Sequence, residues 1–174
     1  MHVWVPITML EFCNVVMTAV LQRKISCRKS THRQFSAPIN SLLALNNEII
    51  GVMGEVAYQK WSGRWGSPKL DVCHDEADCF EDVDVRTINH IGDSMIVRPA
   101  DVVNGRRVVL AHCDRTDGVT LLGWMYGEHT KDDRFKRDPS GRGAAWFIPQ
   151  SVISPMSNFK VFPVDYHLKS YTTN

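Results

Sequence analysis

Val83-Asp84-Val85-Arg86-Thr87-Ile88 reads as a β-strand. Its β-branched residues favour a pleated, half-buried surface. Successive side chains point to opposite faces, so Asp84 and Arg86 share one face and Val85 and Thr87 the other. Downstream, Ser94–Arg98, Arg107–His112, Val119–Tyr126 and Ala144–Ile148 have the same β-branched and aromatic character. Gly92-Asp93, Asn104-Gly105, Asp117-Gly118 and Ser140-Gly141 punctuate them as turns. The charged stretch 127–143 reads as a loop with one helical turn.

Upstream the period changes. From Ser41, an N-cap residue, to Trp61 the apolar residues Leu45, Ile49, Val52 and Val56 follow helical spacing. Beside them Glu48, Gly51, Glu55 and Gln59 form a second stripe. Gly51 and Gly54 each cost a helix about 1 kcal/mol against Ala, so a close approach by another backbone or a ligand is expected there. A first helix is expected over Met9–Lys24. Leu10, Phe12, Cys13, Val16, Met17, Val20 and Leu21 cover so broad an arc that most of it should be buried. A basic linker then runs to Arg33. Two helices before about five strands predict an α/β protein, α+β by segregation, with a mixed sheet flanked by helices. The expected divisions are 1–40 (helix and basic linker), 41–155 (core) and 156–174 (tail).

The chain has 174 residues, 44% hydrophobic and 22% charged, with formal net charge +1. This composition excludes a disordered or polybasic protein; nucleic-acid binding would need local clustering of charge. The five cysteines are irregularly spaced, which argues against a disulfide framework and for a reducing compartment. The apolar run Val3–Leu21 is broken by Pro6, Glu11 and Asn14. It is read neither as a membrane span nor as a signal peptide.

A carboxylate beside a fixed cation on one strand face can hold a divalent metal with the first and steady developing negative charge with the second, as phosphodiester cleavage requires. Magnesium needs converging oxygens at about 2.0–2.1 Å. On one straight strand Asp78 and Asp84 would be about 20 Å apart, so Asp78 joins Asp84 only if the chain folds back near Glu81-Asp82. Asp82, about 7 Å along the same strand, is the fallback ligand.

The ordered set Gly54-Glu55-Val56-Ala57, Asp78, Asp84-Val85-Arg86-Thr87 and Met95-Ile96-Val97-Arg98 resembles the PD-(D/E)XK nuclease-like superfamily, closest to its small phage and bacterial members. Gly123-Trp124 and Phe147-Ile148-Pro149-Gln150 resemble its downstream strands. The resemblance covers roughly residues 40–155. It implies a restriction-endonuclease-like core and Mg- or Mn-dependent hydrolysis of nucleic acid, DNA in the first instance. It also implies the cytoplasm of a bacterial or phage-infected cell, without a membrane. Carried over, Asp78 and Asp84 are metal ligands, Glu55 is the helix carboxylate and Arg86 the cationic partner. Active members usually have Lys at the Arg86 position, and arginine cannot serve as a base. The alternative is a non-catalytic module on the same fold that binds nucleic acid or protein, such as a phage inhibitor of a host factor. A dimer is compatible with the sequence, which fixes no oligomeric state.

Arg23, Lys24, Arg28, Lys29, Arg33 and Lys60 are the residues expected to meet phosphates. A solvated linker is the plainer reading of the first five. Glu55 has a plain reading as a solvated helix-margin residue, and Arg86 one as the strand partner of Asp84. Trp61 and Trp65 are expected to pack under their loop rather than stack on bases. Cys73, His74 and Cys79, with His112 and Cys113 as remote partners, lack zinc-knuckle spacing.

Overall fold

A computed structural model of the chain describes residues 1–29, 42–64, 79, 82–139, 141 and 143–161. In chain order the regular elements are β1 (Val3–Pro6), α1 (Met9–Lys29), α2 (Leu42–Ser62), β2 (Val83–Ile88), β3 (Met95–Val97), β4 (Arg107–His112), β5 (Gly118–Tyr126), β6 (Lys136–Arg137) and β7 (Ala145–Ile148). Content is mixed α and β, in three layers. Both helices cover one face of a four-stranded sheet, ordered β1-β5-β4-β2. A three-stranded antiparallel sheet, β3-β7-β6, covers the other.

The larger sheet is mixed. β2 runs parallel to β4, with Asp84 opposite Val108 and Val85 opposite Val109, while the β4–β5 and β5–β1 pairs are antiparallel. A parallel pair needs a crossover. Here residues 89–106 make it, and they place β3 in the second sheet on the way. Helices were expected to flank the sheet. They lie on one face only, and the opposite face is buried by Met95, Val97, Trp146 and Ile148 against Val108, Leu110 and Leu122. Stretch 127–143 holds two short 3-10 helices, Gly127–Thr130 and Asp133–Phe135, and β6.

Alternation along β4 builds the two cores. Val109 and Ala111 join Val83, Val85, Val119 and Leu121 under the helices. Val5, Ile7, Val15 and Ala19 belong to that same cluster, as do Met156 and Phe159. The N-terminal segment and the beginning of the expected tail are therefore packed into one core with residues 41–155.

Helix α1 starts at a capping box. The Thr8 amide donates to Glu11 Oε2 at 2.7 Å, and the Glu11 amide donates to Thr8 Oγ1 at 3.2 Å. Lys60 Nζ donates to the same Glu11 carboxylate at 2.9 Å and to the Pro6 carbonyl oxygen at 2.9 Å, tying α2 to β1 and α1. Burial pushes the Glu11 carboxyl up. The Thr8 hydrogen bonds and Lys60 outweigh it and hold the carboxyl below its ordinary range. A depressed folded pKa gives stability that is complete above the unfolded value and is lost as pH falls through the folded one. Urea titrations of Glu11→Gln should therefore differ from wild type at neutral pH, with the difference closing as pH falls below about 4. A gap independent of pH would assign Glu11 a packing role only.

Candidate functional site

Backbone parity sorts the expected site residues. Asp84 and Arg86 share the face of their β4 neighbours Val108 and Leu110, which is the face covered by the second sheet. Val85 and Thr87 share the face of Val109 and Ala111, under the helices. Gly54 explains how closely α2 lies on that face. A Cβ there would overlap Thr87 Oγ1 and come within 3.2 Å of Val85 Cγ1. The close approach anticipated for the two glycines is thus real at Gly54, whereas Gly51 has nothing within 4 Å. Helix α2, and Glu55 with it, packs on the Val85–Thr87 face, while Asp84 projects to the other.

Asp84 is only 2% exposed, so it is not the surface carboxylate that a position on an edge strand suggests. Its Oδ2 lies 3.4 Å from Nη1 of Arg106, itself 6% exposed. Burying either charge alone would cost several kcal/mol, which is why the two occur together. Arg86 is part-exposed and pairs with Asp101 at 3.1 Å. Asp101 also accepts from the Arg98 amide at 2.8 Å, so the turn after β3 holds the carboxylate that meets Arg86.

Asp82, the fallback ligand, turns the other way. Arg107 hydrogen-bonds to its carboxylate, the Arg107 amide donates to its carbonyl oxygen at 2.8 Å, and Arg64 pairs with it at 3.2 Å. Arg107 also donates to the Lys160 carbonyl oxygen at 2.7 Å and stacks 4.4 Å over Phe159. Phe159 in turn packs against Tyr58, Trp61 and Trp124 at centroid distances of 5.7, 5.6 and 5.2 Å. Trp61 is accordingly a packing residue; Trp65 lies outside the described residues. Burial pushes the Tyr58 phenol up to about 12, against the pull of Arg107 and Arg64.

Sequence reading missed Arg106, Arg107 and Asp101. The signal for the first two was present. Two adjacent arginines head a fully buried strand, and alternation sends one to each face, so each needs its own carboxylate. Arg106 finds Asp84 and Arg107 finds Asp82.

Asp78 lies outside the described residues, as do Cys73 and His74. Its neighbour Cys79 is described and buried. The Cys79 amide donates to the Val83 carbonyl oxygen at 2.8 Å in an antiparallel bridge, so the chain reverses between Cys79 and Val83. Cys79 Sγ lies 3.8 Å from the Glu55 carbonyl oxygen and 3.9 Å from Gln59 Nε2. Among the described residues, no three His, Cys, Asp or Glu side chains are grouped to hold a metal ion.

The expected phosphate-binding residues are dispersed. Arg23 pairs with Glu48 at 3.4 Å and Lys60 with Glu11. Lys24 is exposed. Helix α1 extends past Lys24 to take in Arg28 and Lys29, where a linker was expected, and Arg33 lies outside the described residues. No helix among the described residues is long and apolar enough to cross a membrane. Comparison with protein-family models, curated proteins and solved structures finds no match to this chain.

Proposed function

We propose that the chain is a nuclease-like protein with a restriction-endonuclease-like core that hydrolyses phosphodiester bonds of nucleic acid with Mg or Mn. Asp78 and Asp84 are its ligand pair and Arg86 the charge-stabilising cation; Glu55, the expected helix carboxylate, stands with α2 on the other face of β2 from Asp84. The observation that supports this reading is the reversal between Cys79 and Val83, the fold-back that a cation shared by Asp78 and Asp84 requires. Donor chemistry also suits a hard cation, since these carboxylates offer oxygen alone. Of this pair Asp84 is described, with its Oδ2 3.4 Å from Nη1 of Arg106. When bound, the metal would polarise the phosphoryl oxygens. Arg86 stays protonated, so it can hold charge but not accept the proton of a water.

A second reading has its own observation. Asp84 faces a buried guanidinium and Arg86 a carboxylate, so each charge is balanced within the protein. A module that binds nucleic acid or protein without cutting fits that balance.

Cleavage of single- and double-stranded DNA and RNA, with Mg or Mn, separates the two. The nuclease reading expects metal-dependent cutting that Arg86→Lys retains or raises and Asp84→Asn loses, with circular dichroism confirming that each variant is folded. Salt-dependent binding without cutting in wild type and Arg86→Lys selects the binding module. Neither cutting nor binding removes nucleic acid as the partner.

A further inference from the structure

We propose that the outer face of the second sheet docks single-stranded nucleic acid, with a base stacked on Phe147 and backbone phosphates held by Arg98 and Arg137. Strand alternation makes the face. Met95, Val97, Trp146 and Ile148 point inward, to the core shared with the first sheet, so Ile96 and Phe147 point outward. Ile96 is 43% exposed and Phe147 half-buried. The two are partners across β3 and β7, so their side chains adjoin.

Two cations fall on the same face. Arg98 keeps an extended backbone, so it continues β3 by one step and comes opposite Ala145. Ala145 is paired on its other side with Arg137 of β6. The row Arg98–Ala145–Arg137 thus lies beside the pair Ile96–Phe147. Two strand spacings, about 10 Å, separate the arginines, with one small side chain between them. Both arginines are exposed, and among the described residues neither forms an ion pair. The carboxylate next in sequence, Asp138, accepts from the Gly143 amide at 3.2 Å.

Charge and shape select the occupant. Two guanidiniums outside any ion pair call for a polyanion. A flat sheet face with an aromatic ring between them accepts an unstacked base, whereas a duplex keeps its bases stacked within. An acidic peptide brings the charge without a flat π-face. Asp84 is not part of this face, since it points between the two sheets. The inference rests on the nucleic-acid partner proposed above and not on cutting.

Fluorescence anisotropy of the full chain with a labelled single-stranded DNA of about 16 nucleotides tests it, in EDTA so that cutting plays no part. The single strand should bind more tightly than a duplex of the same length. Phe147→Ala should weaken single-strand binding by about 5- to 150-fold, and Phe147→Tyr should retain it. Arg98→Gln and Arg137→Gln should each reduce the log–log salt slope by about 0.7. Thermal unfolding checks that each variant is folded. If Phe147→Ala fails to fold, the salt slopes of the two exposed arginine variants decide. Wild-type binding that the folded variants leave unchanged overturns this surface, with nucleic acid still the partner. A duplex bound as tightly as the single strand overturns the proposal, as does competition by poly-glutamate as strong as by unlabelled oligonucleotide. No binding at all overturns both this proposal and the nucleic-acid reading.

Discussion

Asp84→Asn should destabilise the protein by about 3–5 kcal/mol, because it removes the carboxylate that faces the buried Arg106 guanidinium. Arg106→Met should cost a comparable amount by removing the guanidinium that faces the buried Asp84. The double variant Asp84→Leu/Arg106→Met removes both charges from the same site, and such replacements are often neutral or stabilising by about 1–4 kcal/mol. Urea unfolding of wild type, Asp84→Leu, Arg106→Met and the double variant gives a cycle whose coupling should be large and of opposite sign to either single change. Additive single effects would show that the two groups do not depend on one another. The result also bears on the cleavage assay: a folded Asp84→Asn protein tests chemistry, and an unfolded one tests only this ion pair.

Gly54→Ala and Gly51→Ala should change stability in opposite directions, although both replace glycine in the same helix. At Gly51 the new methyl meets nothing within 4 Å, so the helical preference for Ala should stabilise by up to about 1 kcal/mol. At Gly54 it would overlap Thr87 Oγ1 and press on Val85, forcing α2 off β2. Overpacking of that kind costs about 1–3 kcal/mol or more, larger than the gain in propensity. Denaturant midpoints settle the comparison. Thr87→Ala should relieve part of the Gly54→Ala loss, since it removes the atom that is struck.

The strands β2 and β4 were legible to the residue, because runs with β-branched residues end at polar turns. Helix α2 was legible from its three-and-four spacing. β1 was not, since four residues ending in Pro6 carry too little pattern, and its partner Leu121 lies far along the chain. The orientation of α1 was hidden for the opposite reason: an apolar arc as broad as that from Leu10 to Leu21 does not say which side is inside. In the candidate site, the shared face of Asp84 and Arg86 followed from alternation alone. The burial of Asp84 did not, because it depends on a cation 22 positions away in the chain. The separation of Glu55 from Asp84 depends on which face α2 covers, and Gly54 is the residue that carried that information.

The pairing of Val3 with Leu121 has a consequence for how the protein is made. A ribosome adding roughly 5–20 residues per second leaves the first strand waiting on the order of ten seconds before its partner exists. Throughout that interval the apolar α1 has neither β5 nor the finished sheet beneath it. Closing so long a loop costs little more than closing a shorter one, because the entropy grows only with the logarithm of length. The delay, rather than the final free energy, is what exposes the nascent chain to misassociation, and it ends only when β5 has left the exit tunnel.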